Sequence, residues 1–143
     1  MPRTLEKVET FLDGHHLLSL ATAAESGPHA ASLFYAYDPQ TVSFIVASDP
    51  KTEHIENVLK NPHVAGTVAL ETDEVGKIQG IQFKGVMQRI EGETGALYFK
   101  RFAYAKVMRP TLWQITLDHL KMTDNHLGFG KKLYWDRKRS PRL

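Results

Sequence analysis

The chain has 143 residues, 42% hydrophobic and 24% charged, with a formal net charge of +2, proportions that suit one folded domain with an ordinary core. It has no cysteine, which excludes disulfides, thiolate metal sites and cysteine nucleophiles. The charge is uneven: the last 13 residues hold six Lys/Arg and one Asp, so the remainder is mildly acidic.

From the N-terminus, "MPRTLEKVETFLDGHH" interleaves charges with apolar residues and has no apolar core of a secretory signal. No apolar run approaches the ~20 residues of a membrane span, so the cytoplasm is the expected compartment. Leu5, Val8, Phe11 and Leu12 keep helical spacing over residues 4–13, and Gly14 stands where a helix stops. "HLLSLATA" and "HAASLFYAY" flank the turn Glu25-Ser26-Gly27-Pro28 and predict a hairpin. "TVSFIVAS" predicts a third strand. A short helix follows, with Ile55, Val58 and Leu59 on one face, and Asn61-Pro62 ends it. "VAGTVALE" and "IQGIQFKGVMQRIEG" read as strands joined by "TDEVGK". Residues 94–108 predict a helix with Leu97, Phe102, Ala105 and Met108 inward. "LWQITLDHLKMTDN" and "KLYWD" read as closing strands. Short strands with inserted helices point to a mainly β protein, a β-barrel with peripheral helices rather than a doubly wound sheet. No repeat or linker divides the chain. One domain spans 1–143, with 137–143 as a basic tail suited to an anionic partner or simply to solvent.

The junction between the third strand and the short helix is the richest in chemistry. Asp49 suits a helix cap and Pro50 the first helical position. Free N–H groups and the helix dipole favour an anion there. Ser48 and Thr52 add hydroxyls and Lys51 a cation, a set able to hold a phosphate monoester; strand-to-helix turns also have this composition for structural reasons alone. "LGFGKK" lacks the spacing of a nucleotide loop and reads as a glycine turn. The seven histidines show no metal-ligand spacing, so no metal is expected. Tyr98, Phe99, Phe102 and Tyr104 suit the core and a subunit interface.

These segments together resemble a known family. "LATAAESGPHAASLFYAYD", "TVSFIVAS", the run from His54 to Val64 and "IQFKGVMQRIEG" are similar to successive elements of the pyridoxamine 5′-phosphate oxidase-related FMN-binding split barrels. "LWQITLDHLKMTDNHLGFGKKLYW" resembles the end of the small YhbP-like branch. The resemblance implies a split β-barrel and a homodimer with FMN in two clefts between subunits. It implies that Ser48, Lys51, Thr52 and His54 receive the FMN phosphate, His54 standing where many members have Lys. It sets Ser32 and Phe34 beside the isoalloxazine, Gln82 against the flavin, and Trp113 as a contribution from the second subunit. The second strand reads Ala-Ser-Leu-Phe-Tyr-Ala-Tyr, without the Arg and Lys of true pyridoxamine phosphate oxidases, so that activity is not implied. The expectation is an FMN-dependent oxidoreductase of a small molecule, with His29 and Tyr35 as acid–base candidates. The alternative is a non-enzymatic binding module for heme, another ligand or an anionic partner. Neither membrane nor nucleic acid is expected as a partner.

Overall fold

Along one strand Leu18, Leu20 and Thr22 are buried while Leu17, Ser19 and Ala21 face outward. That period of two marks a barrel wall with one wet side. A computed structural model describes residues 2–128 and 130–137. Its elements are α1 (Pro2–Asp13), β1 (Leu17–Ala24), β2 (Gly27–Asp38), β3 (Ser43–Ala47), α2 (Glu53–Lys60), β4 (His63–Ala69), β5 (Gln79–Ile90), α3 (Ala96–Arg101), β6 (Leu112–Asp124) and β7 (Lys132–Asp136).

All strand pairs are antiparallel, in the order β3-β2-β1-β4-β5-β6-β7, and β3 also pairs with β6. Strands β1–β6 therefore close a barrel. The first half of β6 lies against β3 and its second half against β7, while β5 runs along both halves. The fold is the expected split barrel. Phe44, Phe83, Ile115, Leu117 and Leu120 fill its interior. Helix α1 adds Val8, Phe11 and Leu12, and its last turn accepts a hydrogen bond from the Tyr35 hydroxyl at Leu12 O, 2.7 Å. Helix α2 adds Ile55 and Val58 and ties to β1 through Asn57 Nδ2 donating to Thr22 Oγ1, 3.1 Å. No described helix is long and apolar enough to cross a membrane.

Three local expectations are corrected. Helix α2 starts three residues later than Asp49 as cap would place it: Thr52 is the cap, accepting from Ile55 N–H, and Asp49 takes the Lys51 N–H in the preceding turn. Leu59 is 67% exposed, because the inward face of α2 is His54, Ile55, Asn57 and Val58; two polar side chains bonded to Ser48 and Thr22 rotate the face away from Leu59. The helix expected over 94–108 is broken at Phe102, leaving α3 followed by a tighter turn, Ala103–Met108. The break resets the periodicity, so Tyr98 is buried while Met108 is 79% exposed.

Two arginines staple the wall. Arg101 donates to the carbonyls of Tyr35, Asp13 and His15. Arg137, expected to open the solvated tail, instead donates from Nε to Leu117 O (2.7 Å) and from Nη2 to Thr41 O (2.9 Å) and Val42 O (3.0 Å). The rest of that tail, 138–143, lies outside the described residues.

Candidate functional site

Residue 48 is fixed on both sides of its backbone. Ser48 N–H donates to Thr111 O at 3.0 Å, and the Trp113 indole N–H donates to Ser48 O at 2.9 Å. Its hydroxyl is thereby aimed at helix α2, where Ser48 Oγ meets His54 Nε2 at 2.6 Å. Thr52 Oγ1 stands 3.2 Å from the same nitrogen and 3.5 Å from Ser48 Oγ. The Thr52 hydroxyl donates to Asp49 O at 2.8 Å, so it meets His54 as an acceptor, while Ser48 remains able to donate.

His54 is 8% exposed. Burial, and secondarily the neighbouring His29, lowers its pKa below the ordinary histidine value. The two rings are stacked, with centroids 6.3 Å apart and planes at 7°. His29 Nδ1 also approaches Glu53 Oε2 at 3.4 Å. The sequence-predicted Ser48, Thr52 and His54 thus converge. Lys51 does not join them: its side chain is exposed, and among the described residues its ammonium makes no hydrogen bond or ion pair. It lines an open groove with Glu25, Glu53, Glu56 and Lys60.

The remaining candidates lie elsewhere. Strand register sets Ser32, Ser19, Thr67, Gln82, Lys121 and Tyr134 in one row across the outer face. Ser32 and Gln82 share that row but are three strand spacings apart, about 14 Å. Phe34 is exposed beside Leu17, and its ring lies 5.5 Å from that of Phe102. Trp113 is 2% exposed inside its own barrel, and it holds Ser48 from behind through its indole N–H. Tyr35 is buried with its hydroxyl spent on Leu12 O, and burial raises its pKa far above the ordinary phenol value despite Arg101. Its hydroxyl is engaged within the fold, away from the Ser48–His54 junction.

A second polar cluster had no signal in the sequence. The β5–β6 ladder shifts register at Lys84/Gly85, so Asp118 is an extra residue beside His119. Such bulges re-aim side chains. His119 Nδ1 lies 2.6 Å from Asp136 Oδ1 on β7, and its Nε2 has no protein partner among the described residues. Lys84, opposite His119, shares with it a groove floored by Ala21, Ala65 and Gly85. This pair forms only because β6 and β7 lie side by side.

Residues 4–121 match the family model described as Pyridoxamine 5′-phosphate oxidase. The chain is 38% identical over 138 residues to the UPF0306 protein YhbP of Escherichia fergusonii, covering 94% of each. It is 38% identical over 134 residues to a UPF0306 protein of Photorhabdus laumondii, covering 91% of this chain and 94% of that one. Among solved structures it is similar to a heme binding protein from Mycobacterium smegmatis, with a TM-score of 0.77 and 18% identity over 93% of this chain and 57% of that one. It is also similar to HutZ, the heme storage protein from Vibrio cholerae, with a TM-score of 0.64 and 16% identity over 79% of this chain and 89% of that one. A FAD-binding protein from Mesorhizobium loti gives a TM-score of 0.66 and 16% identity over 81% of this chain and 89% of that one. The chain belongs to the pyridoxamine 5′-phosphate oxidase-like family, in its YhbP branch.

Proposed function

We propose that this chain is a cytoplasmic, homodimeric flavoprotein that holds FMN and acts as an oxidoreductase on a small molecule. The observation that carries the reading is the convergence of Ser48, Thr52 and His54 within 3.5 Å at the start of α2. The donor set fits a phosphate in kind: a hydroxyl hydrogen, an imidazole and the free N–H groups of a first helical turn. In charge the fit is lean. Lys51 stands at the rim, and Glu53 and Glu56 share the groove with it, so affinity rests on hydrogen bonds more than on fixed cations. Bound flavin would supply hydride and electron transfer, while the protein supplies grip and orientation. In this reading a ring beside Ser32 and Phe34 lies on the outer face of β2, the opposite face of that strand from His29. Apolar surface at Leu17, Phe34, Tyr104 and Val107 suits a second copy of the chain that would cover the ring.

Mass spectrometry of small molecules released by denaturing the freshly purified protein tests this. FMN at near-stoichiometric amount is expected. Absence of flavin, together with no fluorescence quenching when FMN is added, overturns it. Light scattering at micromolar concentration is expected to give twice the chain mass.

One observation favours a second reading, in which the barrel is a heme-binding module. His119 has Nδ1 engaged by Asp136 and, among the described residues, Nε2 open, the arrangement of a histidine prepared for a metal. The small-residue floor beside it suits a flat macrocycle. Two proteins of like fold are named for heme. A sharp Soret band on adding heme, lost in His119→Ala, is the expected sign of this reading.

A further inference from the structure

We infer that His54 makes the anion site at the Ser48–Thr52 junction proton-coupled: a phosphate monoester enters together with a proton taken up by the His54 imidazole. This rests on the phosphate reading above and adds a regulatory property to it.

Among the described residues His54 is the nitrogen base that touches both hydroxyls of the junction, at 2.6 Å and 3.2 Å. It lies behind them, nearly buried, and stacks on His29. The groups around the pair are Glu53 on α2, in contact with His29, and Lys51, Lys60, Glu25 and Glu56 in the groove. Three carboxylates there face two ammonium groups. A dianion placed in the junction therefore lacks a fixed counter-charge, and the nearest source of one is the imidazole itself.

The direction of the linkage follows. In the empty site, burial and His29 hold His54 below its ordinary pKa, so it is neutral near pH 7. A phosphate dianion held on the two hydroxyls favours the imidazolium behind them and raises that value. Between the two values binding takes up a proton, so affinity rises as pH falls, by up to about tenfold per pH unit for one proton. The gain ends where the phosphate itself takes a proton, near pH ~6. Riboflavin, which has no phosphate, should show no such slope.

The experiment is titration of the protein with FMN and with riboflavin between pH 6.5 and 8.5, followed by fluorescence quenching. Calorimetry in buffers of different ionisation enthalpy measures proton uptake. For FMN we expect affinity to fall at least fivefold across that range, with between half a proton and one taken up near pH 7.5. His54→Lys carries a fixed charge and should bind FMN with a flat profile; His54→Gln should be flat and weaker at pH 6.5. FMN binding that is tight but independent of pH, with no proton uptake, overturns the coupling and leaves the phosphate site standing. Failure of the folded protein and of His54→Lys to bind FMN at any pH overturns both.

Discussion

Trp113 and Ser48 are joined across 65 residues by one hydrogen bond, indole N–H to carbonyl, at 2.9 Å. The bond makes a core residue of β6 the support of the candidate site, and it gives Trp113 a role separable from its bulk. Trp113→Phe keeps a ring in the core but leaves the Ser48 carbonyl without its donor. We expect a loss of about 1–3 kcal/mol in a urea melt and weaker FMN binding than in a variant destabilised equally at a distant position. Equal affinities in the two would show that Trp113 acts through stability alone.

Ser48→Ala and Lys51→Ala separate the donors of the junction. Ser48 is held from both sides and points at His54, so losing its hydroxyl should weaken FMN roughly tenfold, near the upper end of a neutral hydrogen bond at about 1.5 kcal/mol. Lys51 is exposed among carboxylates, so its loss should cost only about two- to fivefold, the scale of a surface charge. Fluorescence titrations with riboflavin as the control should show little change for either variant. A larger effect for Lys51 would mean that its side chain swings into the junction when the ligand binds.

Arg137 is expected to matter for stability more than any basic residue after it. Arg137→Ala removes donors from three carbonyls, and a loss of about 1–3 kcal/mol should lower the melting temperature by several degrees. Removing residues 138–143, which include a proline and a single leucine, should leave it nearly unchanged. Calorimetry on the two proteins makes the comparison.

Gly66→Ala should be the most damaging of these changes. An added Cβ would meet the Ser19 carbonyl and the Phe83 ring, one of them backbone in the neighbouring strand and the other a core aromatic. Neither can give way cheaply. We expect a loss above about 3 kcal/mol or failure to accumulate as folded protein, read from expression and near-ultraviolet circular dichroism. A normal melt would mean that β1 and β4 can move apart at this point.

Much of this was legible because it is local. Strand alternation in "LLSLATAA" and the turn at Gly27-Pro28 depend only on near neighbours, and they led to the correct barrel. Ser48, Thr52 and His54 lie within seven residues, so their convergence at one strand-to-helix turn could be read directly. Leu59 and Met108 were misplaced because tertiary partners decided which face turned inward: Thr22 captures Asn57, Ser48 captures His54, and the break at Phe102 restarts the count. The role of Trp113 and the His119–Asp136 pair depend on which strands become neighbours. A single sequence carries no local trace of that.

The pairing of β3 with β6 sets an order of events during synthesis. Ser43 lies opposite Thr116 and Ala47 opposite Leu112, so the barrel cannot close until the later segment has left the ribosome. Both backbone groups of Ser48 wait for the same segment, through Thr111 and Trp113. A nascent chain ending before residue 111 exposes β3 as an unpaired edge, a template for association with other chains. Such long-range closure is slow compared with the formation of hairpins. The Ser48–Thr52 junction is therefore among the last parts of the molecule to mature, and a chain in which it is formed has already closed its barrel.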